Sequence, residues 1–198
     1  MEAVESARFA GREFLLWLWF ESEVLEGQFE MPDGEKFTLW LETQVTLESV
    51  TAEQEVTRMR GMAPTTTSEA HEALRRGKLP IQARIRIERG QQAFGCTFSA
   101  VTMNMASMQL PQLIKEEEEE RFYERMYLVE EFEKMMDALF ERFLMMRLSP
   151  NWDTSILPMI RAWVKDAQSV DAQDYGRVRR QIPAWAPGEP VGWQGLAD

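Results

Sequence analysis

Lys78-Leu79-Pro80-Ile81-Gln82-Ala83-Arg84-Ile85-Arg86-Ile87-Glu88-Arg89, then Gly90-Gln91, then Gln92-Ala93-Phe94-Gly95-Cys96-Thr97-Phe98-Ser99-Ala100, is the stretch that decides the fold class. Successive strand residues point to opposite faces. The spacing therefore puts Leu79, Ile81, Ala83, Ile85 and Ile87 on one face and Lys78, Gln82, Arg84, Arg86 and Glu88 on the other. Arg89-Gly90-Gln91 reads as a hairpin turn, and Phe94, Cys96, Phe98 and Ala100 continue the alternation beyond it. Two antiparallel strands with one apolar face need something to cover that face.

Working outward toward the N-terminus, Lys36 to Leu47 alternates in the same way through Phe37, Leu39, Leu41, Val45 and Leu47. Pro32-Asp33-Gly34 before it is a turn, with Gln28 to Met31 as a short hairpin arm, and a further strand is expected over Glu53 to Arg60. Between the strands, Thr65 to Gly77 changes to a short helix. Thr66 and Glu69 have capping-box spacing, Arg75 and Arg76 stand at the C-terminal end, and Gly77 ends it. Arg12 to Glu21 holds Phe14, Leu15, Leu16, Trp17, Leu18, Trp19 and Phe20, so as a helix it must be buried nearly all round, by its own domain or by a partner.

After Pro111 the period becomes helical from about Lys115 to Arg147, with Phe122, Met126, Val129, Phe132, Met136, Leu139, Phe140 and Phe143 three or four residues apart. A helix of that length exceeds the width of a small domain, at ~1.5 Å per residue. A break near Glu130 or a projecting, dimerising helix is expected. A shorter helix is expected around Leu157 to Ala167. The predicted class is α+β: an antiparallel sheet of about four to five strands with a buried N-terminal helix and a long C-terminal helix. Residues 1–168 form the domain, and 169–198, with Pro183, Pro187, Pro190, Trp185 and Trp193, an irregular tail.

At 198 residues and 44% hydrophobic, with seven Trp and eleven Phe, the chain has enough apolar surface for one core and is not disordered. The single cysteine, Cys96, and single histidine, His71, cannot build a disulfide or a Cys/His zinc site. Met1-Glu2-Ala3-Val4-Glu5 lacks the basic start of a signal peptide, and no apolar run reaches membrane-spanning length. A cytoplasmic protein is expected. There is no GxSxG, Walker loop, HExxH or dinucleotide-binding glycine pattern, so no enzyme, cofactor, metal or small-molecule substrate is expected. Cys96 reads as a buried small hydrophobe. Glu116 to Glu120 read as a solvated run at a helix start, and Met103, Met105, Met108, Met126, Met135, Met136, Met145 and Met146 as adaptable packing in a core or dimer core.

The polar feature with functional promise is basic. The net charge is −11, yet residues 51–110 hold eight Lys/Arg against five Asp/Glu. Arg75 and Arg76 end a helix, Lys78 opens a strand, Arg84 and Arg86 share its outward face, and Arg89 lies at the turn. Such a stripe can follow a phosphate backbone without reading bases, or it can be an ordinary solvated face paired with carboxylates. Arg177, Arg179 and Arg180 form a second cluster.

Glu72-Ala73-Leu74-Arg75-Arg76-Gly77-Lys78, the two strands to Met105, Leu110-Pro111-Gln112-Leu113, and the helix ending in Asp137-Ala138-Leu139-Phe140-Glu141-Arg142-Phe143-Leu144 resemble the C-terminal part of the recombination-associated RdgC family. Phe9-Ala10-Gly11-Arg12-Glu13-Phe14-Leu15-Leu16-Trp17-Leu18-Trp19 is similar to segments of short, divergent RdgC-like proteins. The resemblance implies a homodimer that binds duplex DNA without sequence specificity and modulates recombination, with Arg75, Arg76, Lys78, Arg84, Arg86 and Arg89 as the candidate DNA contacts. The resemblance extends to the family's C-terminal part and not to its N-terminal half, and this sequence is more acidic than a coating of DNA-binding cations would make it. The alternative is an oligomeric protein-interaction scaffold, its Trp-rich first helix and Met-rich long helix engaging protein partners without DNA binding.

Overall fold

A computed structural model describes residues 2–49, 55–61 and 64–182. Trp185, Trp193 and the prolines around them lie outside the described residues. The chain runs α1 (Glu2–Val24), β1 (Gln28–Glu30), β2 (Lys36–Ser49), β3 (Val56–Arg60), α2 (Ser68–Arg75), β4 (Lys78–Arg89), β5 (Gln92–Ser99), β6 (Asn104–Gln109), α3 (Glu118–Leu148), α4 (Leu157–Lys165) and α5 (Ala172–Arg180). The class is α+β, as the alternation predicts. All six strands pair antiparallel in the order β1-β2-β4-β5-β6, and β3 lies beside the other half of β2.

The predicted β4–β5 hairpin is present, with Ile85 opposite Cys96 and Ile87 opposite Phe94. The strand expected to run on to Met105 instead stops at Ser99 and turns, and β6 folds back along β5. A register shift also alters β4. Thr46 faces Gln82 but Leu47 faces Pro80, which leaves Ile81 as the extra residue of a bulge. Beyond it the faces exchange. Ala83, Ile85 and Ile87 are buried as expected, but Pro80 and Lys78 turn inward while Leu79 and Ile81 are only half-buried.

Helix α1 lies on the apolar face of β2 and β4 and is covered in turn by α3 and α4. That position explains why Phe14, Leu15, Trp17, Leu18, Trp19, Phe20 and Glu21 are all buried within two turns. The sheet takes one side and the helices take the other. Gly11 lies inside α1, where a Cβ would stand 2.0 Å from the carbonyl oxygen of Ala100. The glycine lets the helix approach the end of β5. Gly11→Ala is expected to push α1 off the sheet and cost about 1–3 kcal/mol, the usual range for an overpacked core, measured by urea unfolding.

Two helical details differ from expectation. The cap of α2 is Thr67 and not Thr66: its hydroxyl accepts from Ala70 N at 3.2 Å. Residues 172–180, placed in the irregular tail, form α5, capped by Asp171, whose carboxylate accepts from Gln173 N and Asp174 N. The sequence shows little apolar periodicity there because α5 sends one large side chain, Tyr175, into the core.

Helix α3 is unbroken over 31 residues, roughly 46 Å at the standard rise. Its packing begins at Leu128 and continues through Phe132, Met135, Met136, Leu139, Phe143 and Met146. Before Leu128 it extends past the body of the domain. Phe122 and Met126, expected in the apolar stripe, are 57% and 58% exposed, and Tyr123 and Tyr127 are exposed beside them.

Candidate functional site

The predicted basic site is six cations from α2, β4 and the β4–β5 turn, and the fold gives each of them a partner within the chain. Arg75 donates through Nε to the carbonyls of Val164 and Lys165, at 3.3 and 3.1 Å, and so closes the C-terminal end of α4. It shares Glu72 with Arg76. Burying Lys78 puts its ammonium against Thr57 Oγ1 at 2.7 Å and Glu55 at 3.1 Å, so it does not join an outward stripe.

Arg84 and Arg86 do share the face turned away from α1. Arg84 lies across Gly95, where a Cβ would be 3.0 Å from its Nη2, and donates to the carbonyl of Ser107 at 2.7 Å. Ser107 has φ of 50° at the irregular β5–β6 pairing, so the guanidinium staples the distorted edge strand. Arg86 stands between Glu42 and Glu88, at 3.3 and 2.6 Å. Arg89 is 15% exposed and reaches Glu131 on α3 at 2.8 Å and Glu35 at 3.5 Å. The arrangement fastens elements together; it is not a row of free cations.

A second basic cluster does meet a concave surface. The β1–β2 hairpin, the Ala138–Arg142 turn of α3, and α5 enclose an open groove of about 870 Å³. Among the described residues, Lys36, Arg142, Arg177, Arg179 and Arg180 line it against two carboxylates, Glu30 and Glu141, over apolar residues that include Phe29, Phe37 and Leu139. Phe29 and Phe37 are buried and stack at 5.6 Å between centroids. Arg177 and its neighbours, read as loop residues, are placed here by α5.

Under the groove lies a buried polar cluster that the sequence did not reveal. Glu21, on the apolar α1, is fully buried; one carboxylate oxygen accepts from the Tyr175 hydroxyl and sits 3.5 Å from Arg179 Nε. Trp17 Nε1 donates to the same hydroxyl at 3.3 Å. Burial raises the Glu21 carboxyl above its ordinary range, against the opposing pull of Arg179, Tyr175 and Arg142. The Tyr175 hydroxyl is likewise held well above 10 by burial and the neighbouring carboxylate. On the far side of α1, Glu23 accepts from Trp19 Nε1 at 2.6 Å and Trp163 Nε1 at 3.1 Å, and His71 Nε2 lies 3.3 Å away. His71 is thus a buried ring among two indoles.

Cys96 is fully buried, and burial pushes its thiol up to about 11, which holds it as the unreactive thiol. Of the methionines, Met135, Met136 and Met146 are core, Met103, Met105, Met108 and Met145 are partly buried against it, and Met126 is exposed. Among the described residues, no group of three or more His, Cys, Asp or Glu could hold a metal, and no helix is long and apolar enough to cross a membrane.

No family model matches the chain, and no curated protein matches it significantly.

Proposed function

We propose that the chain is a cytoplasmic, non-catalytic interaction module that binds protein through the projecting end of α3 and does not take duplex DNA as a ligand. The observation that carries this reading is the exposure of Phe122, Tyr123, Met126 and Tyr127 on one short stretch of helix. Contiguous exposed apolar residues of that size mark interaction surfaces. The reading without chemistry is supported by the burial of Cys96 and His71, neither of which lines the groove.

Occupancy of duplex DNA by a homodimer that modulates recombination, as the RdgC resemblance implies, is the second reading. It keeps one observation in its favour, the pair Arg84 and Arg86 on the sheet face opposite α1. Against it stand their partners: Arg84 is held on the Ser107 carbonyl, and Arg86, already neutralised by Glu42 and Glu88, gains little on meeting a phosphate. Fluorescence anisotropy of a labelled random-sequence duplex, at low and moderate salt, decides between them. The interaction-module reading expects no binding at either salt. Salt-sensitive binding that Arg84→Glu/Arg86→Glu abolishes would establish the DNA reading in its place.

A further inference from the structure

The projecting end of α3 and the cation-lined groove are complementary, and both belong to the same rigid helix. From Lys115 to Arg125 there are six carboxylates against three cations, and Phe122, Tyr123, Met126 and Tyr127 supply the apolar contact. Among the described residues the groove is lined by five cations against two carboxylates, and since Arg177 pairs with Asp174 at 3.4 Å and Arg179 with Glu21 at 3.5 Å, its free positive charge lies on the rim. Two of its rim cations, Lys36 and Arg180, are exposed and make no ion pair or side-chain hydrogen bond among the described residues.

One molecule cannot bring these surfaces together. Tyr127 and Ala138, the nearest residues of tip and groove on α3, are separated by roughly 16 Å of helix axis. The helix has no break that would let the tip turn back. We infer that the groove receives the α3 tip of a second copy of this chain, with Phe122, Tyr123, Met126 and Tyr127 against the half-buried Leu25 and Met31 and the Glu116–Glu120 run near Lys36 and Arg180. Each copy offers one tip and one groove, so two copies that exchange tips satisfy both contacts and close as a pair. The opposite charges bring the copies into register, and salt weakens their association by screening them.

The inference rests on the interaction-module reading and names its partner. The test is sedimentation velocity on the full chain over a concentration series, with two double variants that leave the core untouched. Phe122→Ala/Tyr127→Ala removes the tip, and Lys36→Glu/Arg180→Glu reverses the groove rim. The wild type is expected to dimerise, each variant to weaken the dimer at least about tenfold, and an equimolar mixture of the two variants to form a heterodimer through its one intact tip and one intact groove. A contact of tip against tip would be lost in the first variant only, and would overturn the inference. A wild type that stays monomeric would overturn it too, while the choice between an interaction module and a DNA-binding protein would still turn on the duplex experiment alone.

Discussion

Phe14→Ala is expected to lower the unfolding free energy by about 3–5 kcal/mol, the range for removing a fully packed aromatic ring. Phe14 is 1% exposed and stands where the layers meet. Its ring touches Phe98 from the sheet at 5.6 Å, Phe140 and Phe143 from α3 at 5.2 and 5.5 Å, and Trp17 on its own helix at 6.1 Å. The vacated space is walled by three elements that cannot all move in, so collapse is poor and the loss falls at the upper part of the range. The measurement is urea unfolding: the midpoint should fall with the slope unchanged, since the variant exposes the same surface on unfolding. A loss below about 1 kcal/mol would mean that α3 does not close over α1 at this point.

The physical origin of that core was legible in the sequence, because period-two alternation in β2, β4 and β5 and an all-apolar stretch in α1 admit few arrangements. A helix apolar all round has to be covered by its own domain or by a partner, and here the sheet and the helices α3 and α4 cover α1. What alternation could not show is where it reverses. The bulge at Ile81 depends on how Leu47 pairs with Pro80, a contact between strands, and it sends Lys78 from the predicted outer stripe into the interior. The partners of the candidate site's cations stayed hidden for a similar reason. The sequence displays the cations of 75–89 together but not their partners, and Val164, Lys165, Ser107, Glu42 and Glu131 come from elements far along the chain. Local charge density is visible in a sequence; neutralisation across the fold is not. The cluster at Arg177, Arg179 and Arg180 met the opposite fate, gaining a concave setting from a helix whose single buried anchor left no periodic trace. The projection of α3 stood between, since its length was readable but not which end would leave the body.

Arg179→Met is expected to destabilise the protein strongly once Glu21 ionises in the fold and much less in acid, because it strips a cation from a buried carboxylate. Glu21 is wholly buried, and its second oxygen has no hydrogen-bond partner. Arg179, 20% exposed, lies 3.5 Å from the first oxygen. Removing one member of such a pair typically costs about 3–5 kcal/mol, most of it the burden of the charge left behind. Burial already raises the Glu21 carboxyl above the ordinary 4.5. Between the unfolded and folded values the native state therefore holds more protons than the unfolded one, and stability falls as pH rises through that window. Below about pH 4.5 Glu21 is neutral in both states and has little need of the cation. Without Arg179 the folded value moves further up and the window widens. The gap between wild type and variant should thus be small near pH 4.5, open as pH rises, and level off once Glu21 is ionised in the variant as well. Urea unfolding of both proteins from about pH 4.5 to about pH 8 measures it, and the same pair in a Glu21→Gln background should show a gap that no longer varies with pH. A gap equally wide in acid would assign the loss to packing, since the guanidinium also lies 5.3 Å over the Phe29 ring and donates to the carbonyl of Gln28 at 3.4 Å. In that event α5 would be held to the hairpin by the arginine's body, and the charge of Glu21 would be balanced by Arg142 and Tyr175.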